Sequence, residues 1–439
     1  MRYRHSPTSP ARAHPLAGGS ASGTGSRGGV TLPLLVLLSA LAVLAALLVW
    51  TPTASASHTQ DPAQSQAAAG SADDDAFYTP PEPLPQGEPG DVIRSRPAKA
   101  GPPGAVALAD AWQVMYLSTD AQGAPTAVTG TVLVPKAADP AQAPVVGFAP
   151  GTHGPAFRCA PSRMIDGGAF YEQPALNDLL RSGYAVAVTD YEGYRPEPRT
   201  TYVVGRSMGP ALVDAVRAAQ RLPEARLSAD AKVLFRGYSQ GGGAAMWAAQ
   251  TQPAYAPELN LVGVAAGGVP ADLTQVALPL DGKSGFGVLA YALIGLDHAY
   301  PELKLDSYFN EAGRAAFAAM EESACTVELL VDYAGKRTSD YLERSPFLDP
   351  PWLQRVAENK LGESSQGIHV PVFQYHAAQD ELVAYSQADR LHQRLCERGV
   401  PLTWKTYEMG HLSLVYRGNA DVLAFLKDRV AGKPAAPTC

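Results

Sequence analysis

The stretch Lys232-Val233-Leu234-Phe235-Arg236-Gly237-Tyr238-Ser239-Gln240-Gly241-Gly242-Gly243-Ala244-Ala245 decides the fold. Lys232–Phe235 reads as a short strand, and Gly241–Ala245 opens a helix with almost no side-chain bulk. Between them lies a G-x-S-x-G pentapeptide. A serine is lifted above a sheet on a strained strand-to-helix bend, and small flanking residues let that bend form. A second G-x-S-x-G, Gly205–Gly209 around Ser207, lacks this setting. It follows Asp190 by 17 residues, and Tyr191–Val204 is broken by Gly193, Pro196 and Pro198. A parallel strand needs a crossover of about a dozen residues or more, usually helical. Gly209-Pro210 reads instead as the start of a helix with proline in its first position.

Outward from the elbow, Val145–Phe148, Ala185–Thr189, Leu261–Ala265 and Val370–Tyr375 are short apolar runs of the kind buried on both faces of a sheet. Pro174–Arg181, Ala211–Arg221, Gly242–Thr251 and Gln387–Arg398 have helix length and lie between them. Trp112–Leu117 and Thr126–Val134 form an antiparallel pair across the turn Asp120–Gly123. This alternation predicts an α/β fold of the α/β-hydrolase type, a mostly parallel sheet flanked by helices. Residues 271–355 interrupt the rhythm with mixed helical text. They are expected to be an inserted helical cap between core segments 76–270 and 356–439.

Composition excludes several functions. Lys and Arg number 35 against 42 Asp and Glu, a net charge of −7. Residues 1–56 hold Arg2, Arg4, Arg12 and Arg27 and no acid, so the remainder carries 31 bases and 42 acids, or −11. An acidic body argues against nucleic acid, whose phosphates call for clustered cations. Cys159, Cys325, Cys396 and Cys439 are widely spaced with no CxxC or Cys/His cluster, so no metal is expected. The N-terminus has a basic leader, an uncharged apolar run from about Val30 to Trp50, and Ala54-Ser55-Ala56, a signal-peptidase pattern. Residues 1–56 read as a signal peptide, with an uncleaved anchor through residues 30–50 as the alternative. Residues 57–75 read as a disordered linker. Either way the body is exported, where an even cysteine count favours two disulfides.

A serine hydroxyl needs a base to become nucleophilic, and in this fold the acid and then the histidine follow the serine in the chain. His411, just after the strand-like Leu402–Tyr407, is the candidate base. His298, His369, His376 and His392 read as packing or surface residues. Asp380, after the strand ending at Tyr375, is the candidate acid, with Glu381 competing for the role. Gln240 supplies one oxyanion N–H whatever its side chain. The second comes from Pro150-Gly151-Thr152-His153-Gly154 or from Asp190-Tyr191-Glu192-Gly193. His153 reads as a loop-shaping residue. The apolar run Phe286–Leu296 reads both as an acyl-tunnel wall and as a helix packed on the core.

The chain resembles the secretory lipase family in Phe77-Tyr78-Thr79-Pro80-Pro81, Pro89-Gly90-Asp91-Val92, Pro150-Gly151-Thr152, Asp190-Tyr191-Glu192-Gly193, Gly237–Gly241, Asp380 and Gly410-His411. The elbow alone is shared with cutinases, which are much shorter and lack a cap. The resemblance implies Ser239, Asp380 and His411 as a triad, Asp190 and Gln240 as the oxyanion hole, and a cap shaping an acyl-chain tunnel. Gln240 stands where fungal members often carry glycine. Of the three possible cysteine pairings, Cys396 with Cys439 would pin the C-terminal tail. Cys159 with Cys325 would tether cap to core, a pairing the resemblance also favours.

The expected protein is thus a secreted serine carboxylic-ester hydrolase, a triacylglycerol lipase or esterase acting through an acyl-enzyme, without metal or organic cofactor. Its partner is a lipid or other hydrophobic ester, with contact to a lipid interface, and it is expected to be a monomer. A serine peptidase or acyltransferase of the same fold is the alternative, and a non-catalytic surface binding protein the more distant one.

Overall fold

Apolar residues at successive positions, as in Val145-Val146 or Ala185-Val186, give a strand two buried faces and so require helices on both sides. The computed structural model, which describes residues 76–363 and 367–439, meets that requirement with nine strands in one sheet. The strands are β1 (Val92–Ala98), β2 (Ala109–Thr119), β3 (Pro125–Pro135), β4 (Val145–Ala149), β5 (Ala185–Glu192), β6 (Val233–Tyr238), β7 (Leu261–Gly267), β8 (Val372–Ala377) and β9 (Leu402–Tyr407). Their spatial order is β1-β2-β3-β5-β4-β6-β7-β8-β9. The first three and β5 pair antiparallel, and β5 through β9 run parallel. The chain is a mostly parallel α/β-hydrolase sheet. The apolar N-terminal run and the segment 57–75 lie outside the described residues. Among the described residues no helix is long and apolar enough to cross a membrane.

Strand side chains alternate between faces. Val145, Ala187 and Phe235 pack with the helices Gly205–Arg221 and Gln240–Tyr255 on one side. Val146, Phe148, Val188 and Leu234 pack on the other with Leu176, Leu414 and Leu426, from the helices Gln173–Arg181, His411–Arg417 and Asn419–Val430. A third apolar cluster joins Tyr202–Val204 to helices from the 273–358 region, among them Phe286–Ala299 and Pro350–Glu358.

One local expectation is corrected. The helix expected to begin at Pro210 begins at Gly205, with Pro210 inside it. The first helical turn needs no intrahelical acceptors, so a proline just beyond it loses a single hydrogen bond. The half-buried strand β1, reading VIRSRPA, had no strong pattern of its own and is held at the edge by β2. The structure joins Cys159 to Cys325 and Cys396 to Cys439. The first bridge ties the segment after β4 to the start of the helix Thr326–Val331.

Candidate active site

All the candidate catalytic groups lie at the C-terminal end of the parallel strands. Ser239 follows β6 and caps the helix Gln240–Tyr255 with φ 60° and ψ −122°, a left-handed conformation costly for a serine. The glycines around it make that bend possible. A Cβ on Gly241 would stand 2.0 Å from the Ala149 carbonyl oxygen, and one on Gly242 2.1 Å from that of Gly267. The Ser239 N–H donates to Gly267 O at 2.9 Å, which fixes the bend to the start of the β7 loop. Gln240, in the first helical position, has an N–H with no intrahelical partner to meet.

His411 begins the helix after β9, and Asp380 follows β8. The His411 Nδ1–H donates to Asp380 Oδ2 at 2.7 Å. Asp380 Oδ1 accepts the N–H groups of Leu382 and Val383 at 3.1 and 2.6 Å. Burial alone would raise the Asp380 carboxyl, but hydrogen bonds from His376 and His411 outweigh it and hold the group well below the ordinary carboxylate range. Glu381, the competing acid, has another task. It accepts the N–H of His411 at 2.7 Å, capping that helix and anchoring the backbone that carries the imidazole. The Tyr238 hydroxyl donates to the His411 carbonyl at 2.8 Å, and the two rings lie 4.9 Å apart. His411 is thereby held beside the elbow residue that precedes Ser239.

Ser239, Gln240 and His411 face one cavity of about 520 Å³. That size falls within the range of small-molecule sites, about 300–1,000 Å³. Its walls are almost wholly apolar. Leu273, Val276 and Leu280 contribute, and the helix Phe286–Ala299 presents Val288, Leu289, Ala292, Leu293 and Leu296. Tyr291 of the same helix points away and stacks on Tyr202 at 4.0 Å. One face of the Phe286–Leu296 run therefore lines the cavity while another is packed.

Asp190, expected from the resemblance to share the oxyanion site with Gln240, does not line this cavity. It is fully buried, and its carboxylate accepts from Thr129 Oγ1 at 2.7 Å and from the N–H and hydroxyl of Ser162 at 2.7 and 2.5 Å. Burial raises its pKa to about 6 against those bonds. The reason is the strand order. β4 lies between β5 and β6, so the loop after β4 adjoins the elbow and the end of β5 is one strand farther off.

Thr152, in that β4 loop, lines the cavity. Around it the carbonyls are all occupied. Pro150 O accepts from Tyr191 OH at 2.7 Å, and Gly151 O from His153 Nδ1 at 2.9 Å. Thr152 O accepts from Thr326 Oγ1, His153 O from the Thr326 N–H at 3.0 Å, and Gly154 O from Tyr194 OH at 2.7 Å. The Gly151 N–H donates to Glu172 Oε2 at 2.7 Å. Among the described residues, no acceptor pairs with the Thr152 N–H.

The other sequence candidates sit elsewhere. Ser207 is buried in the helix Gly205–Arg221, where its hydroxyl donates to Glu192 at 2.6 Å. His298 bridges to Glu321 at 3.0 Å, and His392 stacks on Trp404 at 4.8 Å. His376 was not anticipated as a neighbour of the site. Its Nε2 lies 2.8 Å from Val383 O and 3.2 Å from Asp380 Oδ2, beneath the candidate acid. Its place one strand-end before Asp380 was the available signal. The His/Cys/Asp/Glu group His392, Cys396 and Cys439 clusters closely enough for a metal, but both sulfurs are in a disulfide.

A family model described as secretory lipase matches residues 169–437. Lipase 10 of Candida albicans is 31% identical over 396 residues, covering 83% of this chain and 82% of that protein. A secreted triacylglycerol lipase of Malassezia globosa is also 31% identical, over 83% of this chain and 81% of its own length. Among solved structures, Candida antarctica lipase A in its closed state superposes with a TM-score of 0.75 at 26% identity, covering 83% of this chain and 87% of that one. The rice cell wall degrading esterase LipA of Xanthomonas oryzae shares the fold at 22% identity, with a TM-score of 0.65 over 78% of this chain and 100% of its own.

Proposed function

We propose, given that this chain belongs to the secretory lipase family and is a lipase or carboxylesterase, that it hydrolyses triacylglycerols through an acyl-enzyme on Ser239. The observation that carries this reading is the meeting of Ser239, Gln240 and His411 in one apolar cavity, with Asp380 bonded behind the imidazole.

In the proposed cycle Ser239 Oγ attacks the ester carbonyl carbon while His411 Nε2 takes its proton. Asp380 keeps the His411 proton on Nδ1, so that Nε2 is the base, and stabilises the imidazolium that forms. The negative charge on the former carbonyl oxygen is met by the N–H groups of Gln240 and Thr152. His411 then returns the proton to the departing alcohol oxygen and the C–O bond breaks, leaving an acyl-serine. Water, deprotonated by His411, attacks that ester, and the fatty acid leaves as Ser239 regains its proton. The acyl chain lies along the apolar wall of the helix Phe286–Ala299, and residues 271–355 act as its cap.

The same cavity supports contact with a lipid surface. Leu278, Val327, Leu348, Leu353, Leu412 and Tyr416 line it and yet are exposed, Val327 by 69% and Leu348 by 84%. Exposed apolar side chains gathered around one opening mark an interaction site. Export by residues 1–56, a tether at 57–75 and a monomeric state complete the reading.

The test is to compare wild type, Ser239→Ala and Ser207→Ala on triacylglycerols and on an aminoacyl anilide. Ser239→Ala is expected to lose about 10⁴- to 10⁶-fold in kcat with folding intact, and Ser207→Ala to change little. Loss in Ser207→Ala with activity kept in Ser239→Ala overturns the reading, as does a preference for the anilide.

A further inference from the structure

The mechanism makes no use of the buried imidazole of His153. His153 is 2% exposed and lies parallel to Phe170 and Tyr171, with ring centroids 5.2 and 4.8 Å away. Its Nδ1 lies 2.9 Å from Gly151 O, and a carbonyl can only accept, so Nδ1 carries the proton. Its Nε2 is buried without a partner. Burial lowers its pKa to about 4, against the bond to Gly151, so the ring is neutral over the working range.

Packing alone does not account for this residue. A buried lone pair without a donor costs about 1–3 kcal/mol, which an apolar side chain in the same stack would not incur. What the imidazole adds is the hydrogen bond to Gly151 O. That carbonyl belongs to the same peptide plane as the Thr152 N–H, and in a trans peptide the two point in opposite directions. Holding the carbonyl therefore aims the N–H.

We propose that His153 is a positioning residue for the oxyanion site, its Nδ1–H fixing the Gly151–Thr152 peptide so that the Thr152 N–H faces the cavity. The inference rests on the acyl-enzyme reading above, which makes that N–H an oxyanion donor. Thr326, which binds the carbonyls of Thr152 and His153, secures the next two peptide planes from the helical segment. His153 itself touches no reacting atom in this scheme.

Asparagine and leucine are nearly isosteric, and an asparagine side-chain N–H can take the place of Nδ1–H. The test compares His153→Asn with His153→Leu in kcat, KM and inhibition by an alkylboronic acid, which adds to Ser239 as a tetrahedral anion. His153→Leu is expected to have kcat about 10- to 100-fold below His153→Asn, less than the 10²- to 10³-fold seen when a donor is removed outright. Boronate affinity should fall in parallel, while KM stays within about twofold. If His153→Leu fails to fold, His153→Gln, whose amide reaches one methylene too far, takes its place with the same expected deficit. Equal kcat in the two variants overturns the proposal, as does a deficit confined to KM. Wild-type enzyme that neither cleaves esters nor binds the boronate defeats the underlying reading instead, which keeps the two failures apart.

Discussion

Glu172 offers a change whose size follows from its surroundings. It is 1% exposed, one oxygen accepts the Gly151 N–H at 2.7 Å, and the other has no partner. Burial raises its pKa from 4.5 to about 7, against the opposing pull of Arg236 and the Gly151 N–H. An acid with a raised folded-state pKa favours the fold fully below its unfolded value of 4.5, and that share is lost as pH climbs through about 7. At about 1.4 kcal/mol per pH unit, the loss between those limits is on the order of 3 kcal/mol. Glu172→Gln keeps a carbonyl for the Gly151 N–H and removes the titration. It also leaves Arg236 buried without its carboxylate, a penalty that does not vary with pH over this range. Urea unfolding of both proteins, disulfides intact, at pH 5, 6, 7 and 8 measures the difference directly. Asp190 and Asp214, each raised to about 6 with burial the largest cause, titrate in both proteins and cancel. Wild type is expected to lose about 2–3 kcal/mol relative to Glu172→Gln between pH 5 and pH 8. A stability difference that stays constant across that range, or moves the other way, refutes the reasoning.

Three further outcomes are expected. Asp380→Asn should lower kcat about 10⁴-fold with little change in KM, because an amide stabilises the wrong His411 tautomer; single-turnover kinetics on a p-nitrophenyl ester would measure it. Ala292→Phe, on the cavity wall, should reduce kcat/KM for palmitoyl esters at least about tenfold relative to acetyl esters, since the added ring occupies the space of the chain. Leu348→Asp should leave hydrolysis of dissolved short-chain esters unchanged and slow hydrolysis of emulsified triacylglycerol several-fold, read by titrating released acid.

The parallel core was legible because its strands are buried on both faces and its elbow demands glycines that no other arrangement would need. Val145–Phe148, Ala185–Thr189 and Leu261–Ala265 all lie within strands of the sheet. The chain order of strands was legible and their spatial order was not. β4, β5 and β6 follow one another in sequence, yet β4 sits between the other two. That exchange brings Thr152 rather than Asp190 to the cavity. The partners of Glu381 and His376 were hidden for a similar reason. Each meets a group from another turn of chain, the N–H of His411 or the carboxylate of Asp380, and a periodicity within one element carries no trace of such contacts. Ser207 shows the converse. Its pentapeptide is complete, but the helix around it buries the hydroxyl against Glu192.

The most direct measurement is to inactivate the protein with an alkyl fluorophosphonate and locate the adduct by peptide mass spectrometry. The expected result is one adduct, on Ser239, accumulating in step with the loss of ester hydrolysis. Inactivation with the adduct on Ser207 or any other residue, and Ser239 unmodified, would contradict the assignment of the nucleophile.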